Sequence, residues 1–214
     1  MGAVVAEISM SVDGYVAGPD PGLEQGLGRN GEKLHEWAFA SRAWNESHGR
    51  QGGEPSPVDD EVIEEMQAAG ATVIGRRMYS GGNGPWDEDP NADGWWGDEP
   101  PFHHPVFVLT HHPREPREME GGTTFTFVTD GIGSAVEQAR AAAGELRVTI
   151  GGGASAIQQA LAAGLVDELR INVAPVVLGD GTPLFQPLEA PIELEQTRVT
   201  HSPAVTHLSY RVSG

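Results

Sequence analysis

The apolar positions of this chain fall into short runs separated by Gly, Pro and acidic clusters. Residues 4–10 (VVAEISM) form a β-type run that stops at Ser11-Val12-Asp13-Gly14, a turn signal. Residues 18–31 have the composition of a loop. Leu34, Trp37, Ala38 and Trp44 recur at helical spacing and predict a helix over 32–44, followed by a polar Gly/Pro loop over 45–57. Asp59 or Asp60 is suited to cap a further helix, whose apolar stripe Val62, Ile63, Met66 and Ala69 stops at Gly70. A buried strand over 71–74 follows.

The second half is more regular. Strands are predicted at 105–109, 125–128, 146–150 and 168–173, and helices at 132–143 and 154–163. Residues 199–201 and 204–212 read as a closing β-hairpin across Ser202-Pro203. Strands alternating with helices imply an α/β three-layer sandwich. Its central sheet is mostly parallel, with helices on both faces and an antiparallel hairpin at one edge. The reading is one domain over 1–214, with long loops at 18–57 and 81–104.

Residues 81–104 hold six acids, three Trp, five Gly, four Pro and no Lys or Arg. Long loops are functional or disordered, and the tryptophans argue against disorder, because disordered segments are poor in aromatics. Trp86, Trp95 and Trp96 are thus candidates to stack on a planar substrate ring, or to be buried against the core.

Charge narrows the functional classes. Thirteen Lys and Arg against 31 Asp and Glu give a formal net charge of −18. Such a chain is a poor generic binder of nucleic acid or anionic lipid, which need cationic contacts. There is no cysteine, which removes disulfides, thiolate metal sites and Cys nucleophiles. The N-terminal residues have no basic segment, and no apolar run reaches about 18 residues. A soluble cytoplasmic protein is expected.

Three junctions carry candidate chemistry. In Leu146-Arg147-Val148-Thr149-Ile150-Gly151-Gly152-Gly153-Ala154-Ser155 a strand ends in three glycines and a helix begins. Glycines there let backbone N–H groups approach a phosphate, and the helix N-terminus adds partial positive charge; a tight turn alone needs only one glycine. Gly151, Gly153 and Ala156 also fit G-x-G-x-x-A. The motif lies late in the chain, however, and no acid ends the next strand, so an ordinary Rossmann domain is disfavoured. The second junction, Gly75-Arg76-Arg77-Met78, puts two cations at a helix start. That is unfavourable for the helix dipole unless an anionic ligand, or nearby acids, sit between them. The third, Thr110-His111-His112, follows a strand's C-terminal end, where ligands of open α/β sheets bind. Together they suit a dinucleotide carrying an extra 2′-phosphate. No metal-binding spacing is present, and no nucleophile elbow, Walker A or kinase signature.

These junctions, with Ile8 to Ala17 (ISMSVDGYVA) and the segment from Gly164 to Phe185 containing APVVLGDGTPLF, resemble the dihydrofolate-reductase-like superfamily. The closer resemblance is to the RibD C-terminal domain family, the reductase domain of riboflavin biosynthesis, over nearly the whole chain. It implies a dihydrofolate-reductase-like fold, NADPH as cofactor, hydride transfer, a small-molecule substrate and a homodimer. The implied activity is like that of a 5-amino-6-(5-phosphoribosylamino)uracil reductase, acting on a small heterocyclic or carbonyl-type compound. By the resemblance Gly151, Gly152, Gly153, Ala154 and Ser155 hold the pyrophosphate, flanked by Gly75, Arg76, Arg77 and Met78. Thr110, His111 and His112 meet the adenosine and 2′-phosphate, while Ala6, Val16 and Ala17 edge the nicotinamide. Asp13 shapes the loop over the cofactor, with a catalytic part as a second expectation. The chain departs from the pattern at Glu7, where the riboflavin enzymes carry Lys. Glu32 and Glu36 are the available acids of the early helix on residue type alone, and a solvated helix face is the better explanation of each. The rival functions are a dihydrofolate or pteridine reductase, a non-catalytic NADPH-binding protein and a Rossmann oxidoreductase.

Overall fold

The computed structural model describes residues 2–187 and 190–213. The first half contains β1 (Val4–Ser11), β2 (Tyr15–Ala17), α1 (Glu36–Ala40), α2 (Arg42–Ser47), α3 (Pro57–Gln67), β3 (Ala71–Gly75) and α4 (Arg76–Ser80). Next come β4 (Pro105–Leu109), β5 (Arg117–Glu118), β6 (Thr124–Val128), α5 (Ile132–Ala143), β7 (Val148–Gly152) and α6 (Ala154–Ala162). The chain closes with β8 (Glu168–Ala174), β9 (Thr182–Pro183), β10 (Glu193–His201) and β11 (Thr206–Ser213). Among the described residues nine strands form one sheet in the order β10-β11-β8-β1-β7-β3-β4-β6-β5. The six from β8 to β6 are mutually parallel, while the β10–β11 hairpin and β5 add antiparallel edges. The three-layer mixed sandwich with a C-terminal hairpin is therefore present. β2 and β9 pair separately.

Burial explains the layers. Parallel strands covered on both faces read as near-continuous apolar runs. One face of the sheet packs Ala6, Val73 and Ile150 against Ala135, Val136 and Ala139 of α5 and Ala156, Ile157 and Ala160 of α6. The small alanines let both helices sit close. The other face is split. Over β3, β4 and β6, Ile74, Val106, Val108, Phe125 and Phe127 meet Tyr79, Trp86 and Trp96. The tryptophan-rich loop thus does the work of a helix layer. Over β1, β8 and β11 lie α1–α3, held by Trp37, Ala38, Val62 and Ile63.

The predicted helix over 32–44 is broken into a short 3-10 turn (Gly31–Leu34), α1 and α2. The break at Ser41 is extended (φ −74°, ψ 150°) because Ser41 bridges Glu54, whose N–H donates to Ala40 O. The Ser41 hydroxyl then caps α2, accepting from the Trp44 N–H at 3.2 Å. Much of the span 18–57 is therefore structured. α3 starts at Pro57 after Ser56, and neither Asp59 nor Asp60 is the cap; Pro is preorganised for the first helical position. Those acids work elsewhere: Asp60 accepts the Ala43 N–H at 2.9 Å, tying α2 to α3. β7 is shifted to Val148–Gly152, since its ladder with β3 continues to Gly152. The short β2, β5 and β9 were not legible as periodic runs. No described helix is long and apolar enough to cross a membrane.

Candidate functional site

The three junctions meet along one edge. β7, β3 and β4 are adjacent and parallel, so their C-terminal ends point the same way. Register pairs Ile74 with Gly152 and Gly75 with Leu109, which aligns Gly151–Gly153, Gly75–Met78 and Thr110–His112 side by side. An ideal Cβ on Gly75 would lie 3.5 Å from the Gly153 nitrogen, so the first two junctions touch.

The glycine turn has the form of a cradle. Gly152 has φ +118°, a backbone region L side chains rarely adopt. A Cβ there would touch Ile8 and Met78 at 3.5 Å, whereas one on Gly153 would meet nothing within 4 Å. Gly153 is the N-cap of α6 and supplies no side-chain cap. The first N–H groups of a nine-residue helix thus start at an open glycine surface, a site for anionic oxygen. Ser155 beside it is exposed, and its hydroxyl accepts from Gln159 Nε2 at 3.0 Å. Ala154 is buried at the start of the helix.

The arginine junction is different. Arg76 is buried, and its guanidinium donates to the Ser80 hydroxyl and the Asp89 carboxylate while lying 3.7 Å over the Trp86 ring. The anion expected at this cation is therefore supplied by the chain itself, which corrects the assignment of the Arg76 side chain to a ligand. Burial would raise the Asp89 pKa, but hydrogen bonds from Ser80 and Arg76 hold it below the usual carboxylate range. Arg77 is exposed and has no ion pair among the described residues. Met78 lines the glycine turn. At the third junction Thr110 is buried, and its hydroxyl accepts the His112 N–H at 3.2 Å. The His112 carbonyl accepts from Trp86 Nε1 at 3.0 Å, and His111 is exposed.

The remaining expected residues divide. Ala6 is fully buried and Val16 nearly so, leaving backbone as their means of lining a groove, while Ala17 is half-buried. Asp13 is exposed and its carboxylate accepts the Leu178 N–H at 3.1 Å and the Gly179 N–H at 2.7 Å. The Ser11 hydroxyl, then these N–H groups, hold its pKa below the ordinary value. This clasp fits the loop-shaping expectation and gives the catalytic one no support, since a carboxylate so held has no proton to give near neutrality. Trp86 and Trp96 are partly buried and pack against the aromatic core, the second of the two roles open to them. Trp95 is 40% exposed, with Nε1 donating to Met78 O at 3.0 Å, and remains at the surface of the loop. Glu32 and Glu36 lie on exposed surface.

Sequence reasoning did not find a charged cluster beneath α3. Glu7 is 1% exposed, with the Asn172 side chain as its hydrogen-bonding neighbour. Burial pushes its pKa from 4.5 up to about 7, against the pull of Arg170 and Arg147. Beside it, His207 hydrogen-bonds Asn172 Oδ1 through Nδ1 at 2.7 Å and Asp59 Oδ1 through Nε2 at 3.0 Å. An acid inside an apolar strand was visible as a departure. Its pairing opposite Arg170 was not, because strand order is not written locally.

Comparison with known proteins agrees with this architecture. The chain is 36% identical over 89 residues to the uncharacterized protein YyaP of Bacillus subtilis, a match spanning 41% of this chain and 47% of that protein. A crystal structure of a protein assigned to riboflavin biosynthesis from Shewanella sp. PV-4 superposes with TM-score 0.64, at 23% identity over 99% of both chains. Dihydrofolate reductase from Enterococcus faecalis, complexed with NADP(H), superposes with TM-score 0.52 at 16% identity over 100% of this chain and 98% of that one. At these identities the two structures establish the shared fold. The model of the RibD C-terminal domain matches residues 3–208, and the chain therefore belongs to the RibD C-terminal domain family.

Proposed function

We propose that the protein is an NADPH-dependent reductase that transfers hydride to a small heterocyclic or carbonyl-type substrate, in the manner of a 5-amino-6-(5-phosphoribosylamino)uracil reductase. The observation that carries this reading is the alignment of the three junctions on adjacent parallel strands, with the open face of Gly153 at its centre. Gly151–Gly153 and the first N–H groups of α6 would hold the pyrophosphate, as Gly153 leaves space where a Cβ would intrude. Arg77 and His111, both exposed, would meet the 2′-phosphate, with Thr110 and His112 beneath the adenosine. Arg is suited to such contacts by its bidentate geometry. Gly75, Met78 and the backbone of Arg76 would complete that wall. Ala6, Val16 and Ala17 would edge the nicotinamide, and the Asp13 clasp would fix the loop over it. When bound, the cofactor supplies the hydride; the chain binds, orients and shields it. Trp95, 40% exposed, is the tryptophan of the loop with the most surface to offer a substrate. A homodimer would pair through the exposed edge strand β10, where Leu194 and Val199 are partly uncovered.

The test is titration of the purified chain with NADPH and with NADH, read by intrinsic fluorescence and melting temperature. Oxidation of NADPH is then followed with 5-amino-6-(5-phosphoribosylamino)uracil and with dihydrofolate. Preferential NADPH binding and turnover of the pyrimidine are expected. Turnover of dihydrofolate alone would make it a pteridine reductase, binding without turnover a nucleotide-binding protein, and no NADPH response would end the reading.

A further inference from the structure

The two long loops of the chain, 18–57 and 81–104, are fastened to each other. Helices α1–α3 cover β1, β8 and β11, while the tryptophan-rich loop covers β3, β4 and β6 on the same face. β7 lies between β1 and β3, so it falls at the seam between these two covers. Alternation along β7 sends Val148 and Ile150 to the α5–α6 face, and Thr149 and Gly151 to the seam. An ideal Cβ on Gly151 would meet Thr72, Ile74 and Met78 at 3.7–3.8 Å. The seam therefore reaches the glycine turn on the side away from α6.

Residues 18–29 cross that seam. The segment leaves β2, which packs on β1, and doubles back on itself. The Gly18 N–H donates to Leu27 O at 2.8 Å and the Arg29 N–H to Pro19 O at 2.9 Å. The Gly22 and Gly28 N–H groups both donate to Gln25 O, at 3.1 and 2.9 Å. The segment is thus an internally bonded unit on a narrow neck, where Gly28 takes φ +68°. Its tip rests on the far side of the seam, at the end of α4. Asn91 Nδ2 donates to Leu23 O of the tip at 2.8 Å and to Ser80 O of α4 at 3.1 Å. The Trp95 ring fills the space between tip and helix, since ideal Cβ atoms on Gly26 and Gly81 would both run into it. Trp95 Nε1 donates to Met78 O at 3.0 Å, and the Met78 sulfur lies 3.5 Å from an ideal Cβ on Gly152. The fastening is therefore one residue from the glycine turn. A few polar contacts and a ring left 40% exposed open at low cost.

We propose that residues 18–29 form a strap across the substrate side of the site, latched by Trp95 and Asn91, which lifts as a unit to admit substrate and release product. This rests on the reductase reading above for what passes beneath the strap; the latch stands on the contacts alone. The strap springs from Ala17, which that reading puts at the nicotinamide, so what it covers is the redox end. With the strap down, none of the described residues comes within 4 Å of where a Cβ on Gly153 would lie. The cofactor therefore binds without disturbing the strap, whereas a planar ring entering along the seam must move it. The bonds within the strap survive lifting; only those to Asn91 and Trp95 give way. Closure shields the hydride transfer from water.

The test uses the full chain, which has no cysteine. Spin labels at Glu24→Cys on the exposed tip and Glu137→Cys on the exposed side of α5 measure one distance across the sheet. The latched, ligand-free chain should give a single narrow distance. Trp95→Ala should add a longer one, with the lifted fraction raised about tenfold. Gly26→Ala should do the same from the strap's side, because its Cβ displaces the Trp95 ring while leaving that ring in the protein. Trp95→Phe keeps a ring without the Nε1 donor and should return most of the single distance. In unlabelled protein with NADPH and 5-amino-6-(5-phosphoribosylamino)uracil, Trp95→Ala and Gly26→Ala should both raise the KM for the pyrimidine about tenfold with kcat little changed, and leave NADPH affinity as it was. A single distance in both variants overturns the latch. So does general loosening, with the melting temperature lowered and the distance broadened in place of a second one. A longer distance with an unchanged KM overturns the gate. Failure of the wild type to bind NADPH or to reduce the pyrimidine overturns the reductase reading, and with it what the strap admits; the distance measurement needs no ligand and judges the latch separately.

Discussion

Two strand-to-helix junctions lie next to each other in this protein and look alike in sequence, yet they are built for different purposes. At Gly151–Ala154 the glycine turn is open, and none of the described residues comes within 4 Å of where a Cβ on Gly153 would lie. At Gly75–Met78 the first cation is folded inward and neutralised by Asp89 from the tryptophan-rich loop. The comparison teaches that a cation at a helix start does not by itself identify a ligand. What decides is whether the chain brings its own anion. Arg76 therefore fastens the loop to the sheet, while Arg77 faces outward.

Breaking the closed junction should have the largest effect. Asp89→Ala leaves Arg76 buried without its charge partner, which costs about 3–5 kcal/mol; chemical denaturation should show a loss of that order, with the loop becoming sensitive to proteolysis. A mild loss would mean that Ser80 and the Trp86 ring suffice for Arg76.

The same reasoning applied to Glu7, an acid whose burial outweighs the pull of Arg170, Arg147 and Asn172, gives an effect of opposite sign. Its folded-state pKa is raised from 4.5 to about 7, so the unfolded chain releases this proton first. Its contribution to stability is full below about 4.5, declines as pH rises toward 7 and stays lost above. At about 1.4 kcal/mol per tenfold change in proton affinity the loss is about 3 kcal/mol. Glu7→Gln should remove that slope and be more stable than wild type at alkaline pH, as read from denaturation midpoints across pH.

The open junction is sharpened by filling it. Gly153→Val projects into free space, so its melting temperature should change little while NADPH affinity falls by about 100-fold, some 2.7 kcal/mol. Equal loss of stability would mean the space is not a ligand surface. The smallest effect is expected at Arg77. Arg77→Ala should weaken NADPH binding by about tenfold, roughly the loss of one exposed charged contact to phosphate, leave NADH binding as it was and leave stability unchanged. Parallel titrations with the two nucleotides read this directly.

Local pattern determined a good deal. The bounds of α5 and of the strand at 105–109, the strands read at 4–10 and 71–74 to within a residue, and the second strand of the closing hairpin follow from apolar runs and flanking glycines, because burial by a sheet or helix layer imposes its period on the sequence. The first strand of the hairpin starts at Glu193, and only its end at 199–201 was legible. The glycine turn was legible for the same reason: its three consecutive glycines are a local requirement of the backbone. Only tertiary structure decided the rest. The helix over 32–44 was broken by a contact with Glu54, and Trp86 and Trp96 were drawn against the apolar face that Val106 and Val108 of β4 and Phe125 and Phe127 of β6 present. Arg76 was given to Asp89, and Glu7 was set opposite Arg170, by contacts 13 and 163 residues apart respectively. Such partners are fixed by strand order and by which surfaces must exclude water, and neither is encoded in the residues immediately around them.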